Sequence, residues 1–379
     1  MLSIQDNTLR DGMQQFGIPK NLLVKREIIK LLGKSKISSV EIGMCTTDQD
    51  KIILSERMSF LSNSQSAVIL TRLKQPDISN VVSLHKKFNN IALKLLVPTS
   101  KLHVTQKLQF DYQTYFLLIE KYLTQLQYSS VNVDVCLEDA TRTPYNLLEK
   151  FLDIISKFNI RFLTLADTVG CSTPLEYGHL FKHVHSYIPN VKLSAHCHND
   201  LGLATANTLA AIQNGAQQIE TTLLGIGERA GNTSLDEIMA ILTKKKTQKV
   251  PLSLPEVYSL SKSVQHLLNY SLPPTKPILG SNIFKHESGI HQDGTLKNEH
   301  MYQYLIPSDI DISIPEYFPI SAISSSKVLN AQLKTRHLDD KADQIISFYK
   351  TLSQVVDTLT LDEAIELYNF TRKDSIWHF

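Results

Sequence analysis

Along the first 225 residues, short runs of β-branched and aliphatic side chains recur at 2–5, 38–43, 67–71, 91–97, 131–137, 161–165, 191–195 and 218–223. Between them, apolar residues return every three or four positions, as at 20–32, 145–158, 174–187 and 200–214. The first pattern is that of buried strands, the second that of helices with one apolar face. Strand and helix alternating at about 30 residues per repeat predict parallel βαβ units. Eight such units in about 245 residues predict a closed (β/α)8 TIM barrel rather than an open doubly wound sheet, which usually runs out of strands earlier.

Ser234, with Glu237 three residues on, has the spacing of a capping box for the last barrel helix. Its apolar face would carry Ile238, Ile241 and Leu242, and its run ends near Lys246. Beyond it, Pro251, Pro255, Pro273, Pro274 and Pro277 interrupt the chain and the alternation stops. The predicted organisation is a catalytic barrel domain over 1–255 and a smaller, mainly helical accessory domain over 256–379. Within the latter, 339–352 and 361–370 read as amphipathic.

Composition narrows the function classes. The 39 Lys and Arg against 37 Asp and Glu leave a formal charge of +2, too weak a field to recruit nucleic acid or an anionic membrane. Lys244, Lys245 and Lys246 read as a solvated helix end. No window approaches the roughly 20 apolar residues of a membrane span, and the N-terminus lacks the pattern of an export signal. Cys45, Cys136, Cys171 and Cys197 show no paired spacing, which points to a reducing, cytoplasmic setting.

In a barrel of this kind reactive groups sit at the C-terminal ends of the strands, so the polar clusters there carry the functional reading. After the first strand comes Asp6-Asn7-Thr8-Leu9-Arg10-Asp11-Gly12-Met13-Gln14, with an Arg and an Asp side by side before a glycine. The seventh strand ends in His196-Cys197-His198-Asn199-Asp200. Strand residues two apart share a face, so both imidazoles can aim at one point, and with Asp11 they make a common donor set for a divalent ion. After strand eight, Gly225-Ile226-Gly227-Glu228-Arg229-Ala230-Gly231-Asn232 could bind an anionic group through its glycine backbone, with Asn232 offering an amide oxygen to the metal. Glu138-Asp139-Ala140-Thr141-Arg142 ends strand five and competes with a plain acidic helix start. In the accessory domain, His291 lies in His286-Glu287-Ser288-Gly289-Ile290-His291-Gln292-Asp293-Gly294 and could transfer a proton if that domain folds over a barrel mouth.

These clusters in this order resemble the isopropylmalate synthase and homocitrate synthase family, closest to short homocitrate synthase-like members. That family is the acyl-CoA-condensing branch of the metal-dependent barrels that also include hydroxymethylglutaryl-CoA lyases and oxo-acid aldolases. Further matches are Pro98-Thr99-Ser100 with His103 and Lys107, Ala166-Asp167-Thr168-Val169-Gly170, and Leu296-Lys297 followed by Tyr302. The resemblance implies condensation of acetyl-CoA with a 2-oxo acid, followed by thioester hydrolysis, in a homodimer. It implies a divalent ion, Mg, Mn or Zn, on Asp11, His196, His198 and Asn232. Arg10 would stabilise the developing alkoxide, His291 or Glu138 would take the acetyl proton with Tyr302 as helper, and Gln14, Thr168, Glu228 and Arg229 would face substrate. The competing expectations are a carbon–carbon lyase or aldolase of the same superfamily, and a catalytically weak paralogue that binds acyl-CoA or an oxo acid.

Three departures bear on these expectations. Met13 stands where the family usually has an acid, so Arg10 needs a partner from elsewhere. Asp134 and Cys136 stand where one homocitrate synthase type has an Arg and a Ser for the distal carboxylate of 2-oxoglutarate, and an Asp there would repel it. The usual glycine- and histidine-rich accessory segment reads here as Ile323-Ser324-Ser325-Ser326-Lys327-Val328, which alters the expected acyl-CoA clamp. With the sequence ending at Phe379, feedback through a further leucine-binding domain is not expected.

Overall fold

A computed structural model describes residues 1–313, 325–356 and 359–373. Eight strands, β1 (Ser3–Asp6), β2 (Ser39–Met44), β3 (Ser66–Arg72), β4 (Ile91–Pro98), β5 (Asn132–Glu138), β6 (Leu163–Asp167), β7 (Leu193–Cys197) and β8 (Ala216–Thr221), pair in parallel and in order. The β1–β8 pair closes the barrel. The interleaved helices are α1 (Leu22–Lys34), α2 (Asp48–Met58), α3 (Gln75–His85), α4 (Tyr112–Gln127), α5 (Tyr145–Ile155), α6 (Pro174–Tyr187), α7 (Ala204–Gln213) and α8 (Leu235–Lys245). The predicted TIM barrel is therefore the fold of the first part of the chain.

Local sequence explains the helices. In α5, Leu148, Phe151, Leu152 and Ile155 are buried at helical spacing and cover the sheet. In α6, Thr173 and Glu176 form a reciprocal capping box, and Pro174 occupies the first turn, where its missing N–H costs nothing. At α8, Ser234 is the N-cap, but its side chain makes no capping bond and the expected capping box is not formed: the Ser234 hydroxyl donates to Asp236, and the Glu237 carboxylate accepts from Thr205.

Several strands run further than the apolar pattern suggests, and four of them do so through polar residues: β1 to Asp6, β5 to Glu138, β6 to Asp167 and β7 through His196 to Cys197. Ladder bonds use the backbone alone, so pairing continues past the point where side chains turn polar, and those side chains collect at the barrel mouth.

The chain divides into two compact units, Met1–Ser271 and Leu272–Phe379. The boundary read at 255/256 falls inside α9 (Leu254–Leu267), whose buried Leu254, Val257, Leu260 and Val264 make it part of the barrel unit, packed on α1 and α8. Its leading Pro255 starts a helix instead of ending a domain. The second unit contains α10 (Gly289–Lys297), α11 (Ser326–Thr335), α12 (Ala342–Leu352) and α13 (Leu361–Lys373). Leu329, Leu333, Ile345, Tyr349, Leu361 and Tyr368 form its core, so the two predicted amphipathic segments do pack through their apolar faces. Of the altered accessory segment, Ile323 and Ser324 lie outside the described residues, and its remainder enters α11.

Candidate metal centre

Asp11, His196 and His198 converge at the mouth, each nearly fully buried, with donor atoms within 4.8 Å of one another. Asp11 Oδ2 lies 3.3 Å from His196 Nε2 and 3.8 Å from His198 Nε2, and the two Nε2 atoms are 3.4 Å apart. Strand period two puts both imidazoles on the inner face of β7, and β1 is its neighbour but one through β8. The Oδ1 of buried Asn232 accepts no hydrogen bond among the described residues, and its backbone bridges to His198. Asp11 Oδ2 likewise has no hydrogen-bond donor among them. Two imidazoles, a carboxylate and an orphaned amide oxygen fit a divalent cation.

The electrostatics agree with that fit. Burial works against ionising Asp11, but Arg10 and the two histidines hold its carboxyl below the usual carboxylate range. Burial also opposes a charge on His196, yet the Asp11 and Glu220 carboxylates beside it push it up to about 9. His198, desolvated and beside that cation, is pushed down to about 4.

Three charged residues that complete the site escaped the sequence reading. Glu41 on β2 accepts from Arg10 Nε at 2.9 Å and lies 2.8 Å from its second terminal nitrogen. It thus supplies the acid expected near Met13, whose side chain is simply buried. Glu220 on β8 is a hub. Its Oε1 accepts from Lys94 at 2.6 Å, Thr164 at 2.6 Å and Ser194 at 3.1 Å. Its Oε2 accepts from Asn7 at 3.0 Å and lies 3.1 Å from His196 Nδ1. A carboxylate on Nδ1 fixes the imidazole tautomer and leaves Nε2 facing the metal position. Lys94 on β4 is the third. The available signal was a lone charge inside each apolar strand run, which in a barrel implies an inward-facing, paired group.

The other expected residues are distributed as follows. Arg10, Gln14, Glu138, Thr168, Glu228 and Arg229 all line the mouth cavity, about 260 Å³, with Leu70, Lys94, Leu96, Cys136 and Ala166. Glu138 is ion-paired to Lys107 at 2.8 Å. Arg229 grips Asp200 with two nitrogens, at 2.7 and 2.9 Å, and donates to the Thr168 carbonyl, strapping three loops together. The glycines after β8 serve packing within their own loop: a Cβ on Gly231 would meet the Gly225 carbonyl, and one on Gly227 would meet the Asn232 amide. Asp139 is buried and bound by Arg142 at 2.7 Å, so of that cluster only Glu138 faces the cavity. The expected repulsion by Asp134 does not arise, because that residue sits near the start of β5 in a bidentate pair with Arg161, at 2.9 and 2.6 Å, outside the cavity lining.

In the second unit, His291 is exposed and stacks on Tyr302, with ring centroids 4.2 Å apart. Gly294 permits this approach, since a Cβ there would overlap the Tyr302 ring.

A buried Asp-His-His donor set at the C-terminal mouth of a closed (β/α)8 barrel is a candidate metal centre. Residues 1–264 match the HMGL-like family, and 278–359 match the homocitrate synthase post-HMGL domain-like family. A 2-isopropylmalate synthase 1 of Caldanaerobacter subterraneus subsp. tengcongensis is 31% identical, covering 98% of this chain and 98% of its own. The 2-isopropylmalate synthase of Oceanobacillus iheyensis is 36% identical over 82% of this chain, which spans 62% of that longer protein. Among solved structures, a hydroxymethylglutaryl-CoA lyase of Pseudomonas aeruginosa superposes with a TM-score of 0.62 at 15% identity, covering 71% of this chain and 94% of its own; that likeness concerns the fold. The chain belongs to the metal-dependent HMGL-like family, with 2-isopropylmalate synthases as its sequence relatives.

Proposed function

We propose that the protein is an acyltransferase that condenses acetyl-CoA with a 2-oxo acid in a Claisen-type step and hydrolyses the resulting thioester. The observation that carries this reading is the convergence of Asp11, His196 and His198 beside an arginine held by Glu41. It is supported by 2-isopropylmalate synthase relatives and by a second unit matching the domain that follows the barrel in homocitrate synthases.

A divalent ion, Mg, Mn or Zn, held by Asp11, His196, His198 and the Asn232 amide oxygen would supply Lewis acidity toward the 2-oxo group. Arg10, whose free terminal nitrogen lies 3.5 Å from Asp11, offers N–H groups to the oxygen that gains charge as the new carbon–carbon bond forms. Glu41 fixes that guanidinium from behind, so no reorganisation is needed in the transition state. Gln14, Thr168 and Glu228 bound the substrate space, and Arg229 acts through the loops it straps. His291 is the base proposed for the acetyl methyl proton, with Tyr302 holding its ring; Glu138, neutralised by Lys107, is the weaker candidate. A homodimer and a cytoplasmic setting complete the proposal, the latter supported by four cysteines free of disulfides. No described helix is long and apolar enough to cross a membrane.

The test is release of free CoA thiol from acetyl-CoA with a divalent ion and a panel of glyoxylate, pyruvate, 2-oxoisovalerate and 2-oxoglutarate. Turnover with at least one acid, lost in His291→Ala and in His196→Ala, is expected. Silence across the panel would overturn the proposal.

A further inference from the structure

Lys94 is the least explained group in the barrel. It stands on β4 inside an apolar run, and its side chain is 1% exposed, yet it lines the mouth cavity. Burial alone would strip its proton, but the Glu220 carboxylate 2.6 Å away raises its pKa instead, so the group is an ammonium. An ammonium has three N–H donors. One goes to Glu220, and among the described residues the other two meet no acceptor. Glu220, in contrast, is saturated by Lys94, Thr164, Ser194, Asn7 and His196.

Position matters as much as donor count. His196 presents Nε2 to Asp11 and His198, and the opposite nitrogen, Nδ1, to Glu220. Lys94 meets one oxygen of Glu220 and His196 meets the other, so the ammonium stands in the same cavity with one carboxylate between it and the metal position. The same cavity is also lined by Leu70, Leu96, Cys136 and Ala166, an apolar surface. A 2-oxo acid bound by its reacting end at the mouth would lay its side chain along this surface with its far end toward Lys94.

Building on the acyltransferase reading, we infer that Lys94 is the specificity-determining residue for the oxo acid and accepts a substrate whose side chain ends in an oxygen acceptor, in the first place a 2-oxodicarboxylate. Asp134, the register neighbour of Lys94 on β5, is outside the cavity lining and has its charge balanced by the bidentate pair with Arg161. A purely aliphatic acid would leave two buried N–H donors unmatched, and a site built to hydrogen-bond its substrate discriminates strongly against an analogue lacking the partner.

The experiment compares 2-oxoglutarate and oxaloacetate with 2-oxovalerate and 2-oxoisovalerate, in turnover with acetyl-CoA and in direct calorimetric binding without it. Wild type is expected to favour a dicarboxylate, and Lys94→Met to lose about a hundredfold in kcat/KM for it through KM, while aliphatic acids gain or hold. Because Lys94→Met strands the Glu220 charge, the double variant Lys94→Met/Glu220→Gln tests the same shift with a neutral pair, and Lys94→Arg should retain dicarboxylate preference. Wild-type preference for an aliphatic acid, or equal losses on both classes in both methionine variants, would overturn the assignment while leaving the acyltransferase reading intact. Silence with every acid would instead strike at that reading, and calorimetry would then decide the Lys94 assignment by itself.

Discussion

Two of the barrel's ion pairs look alike in a list of charges and differ in kind. Asp134 and Arg161 match each other completely: two carboxylate oxygens meet two guanidinium nitrogens, and the guanidinium rests 5.5 Å from the Phe162 ring. Lys94 and Glu220 do not match, because the carboxylate receives more donors than one partner can give and the ammonium keeps two unspent. A balanced pair holds strands together. An unbalanced one beside a cavity passes its order on to a histidine on one side and to a ligand on the other.

Removing the group that the unbalanced pair serves gives the largest effect. His196→Ala should abolish stoichiometric divalent-ion binding, read by elemental analysis after dialysis, and turnover with it; an unchanged metal content would show that the ion sits elsewhere. Glu220→Gln should follow, with metal affinity reduced about 10- to 100-fold as the imidazole loses its orienting acceptor, measured by chelator competition. Equal affinity would reduce the hub to a structural role. Asp134→Asn gives the opposite profile: about 3 kcal/mol less stability in denaturant, since Arg161 loses its partner, with metal affinity and KM unmoved. A change in KM there would erase the distinction between the pairs.

A subtler effect is the pH dependence of metal binding. Without the ion, His196 keeps its proton to about 9, above its ordinary 6.5. The stability that proton confers on the metal-free fold is fully present below about 6.5 and is lost as pH rises through about 9. An ion must displace it, so affinity should rise about tenfold per pH unit from 7 toward 9 and then level off. His198, held down to about 4, is already neutral in that window and adds no second proton. A flat profile between 7 and 9 would contradict the pairing with Glu220. Smallest of all, Lys297→Ala removes an exposed bridge to Asp293 and should leave the denaturation midpoint unchanged.

The cluster of Asp11, His196 and His198 was legible because its information is local: a His-x-His at a strand end and an Arg-Asp after another, each set by strand periodicity and by barrel polarity. Glu41, Lys94 and Glu220 were not, because a single charge in an apolar run reveals no partner when that partner is 126 residues away, as Lys94 and Glu220 are. The glycines after β8 show how packing adds a second role to a local motif. They suggested an anion loop, and what occupies the space of their missing side chains at Gly227 and Gly231 is the loop's own backbone and Asn232.

By itself, the sequence determined the barrel, its strand order and the residues able to ligate an ion, since hydrophobic periodicity and short motifs act over distances the chain itself sets. Only the tertiary structure decided which charges answer one another. Closing β1 against β8 brings Asn7, Lys94, Thr164, Ser194 and His196 onto one carboxylate, and the energy of a buried charge depends on what stands within a few ångströms, whatever the separation along the chain.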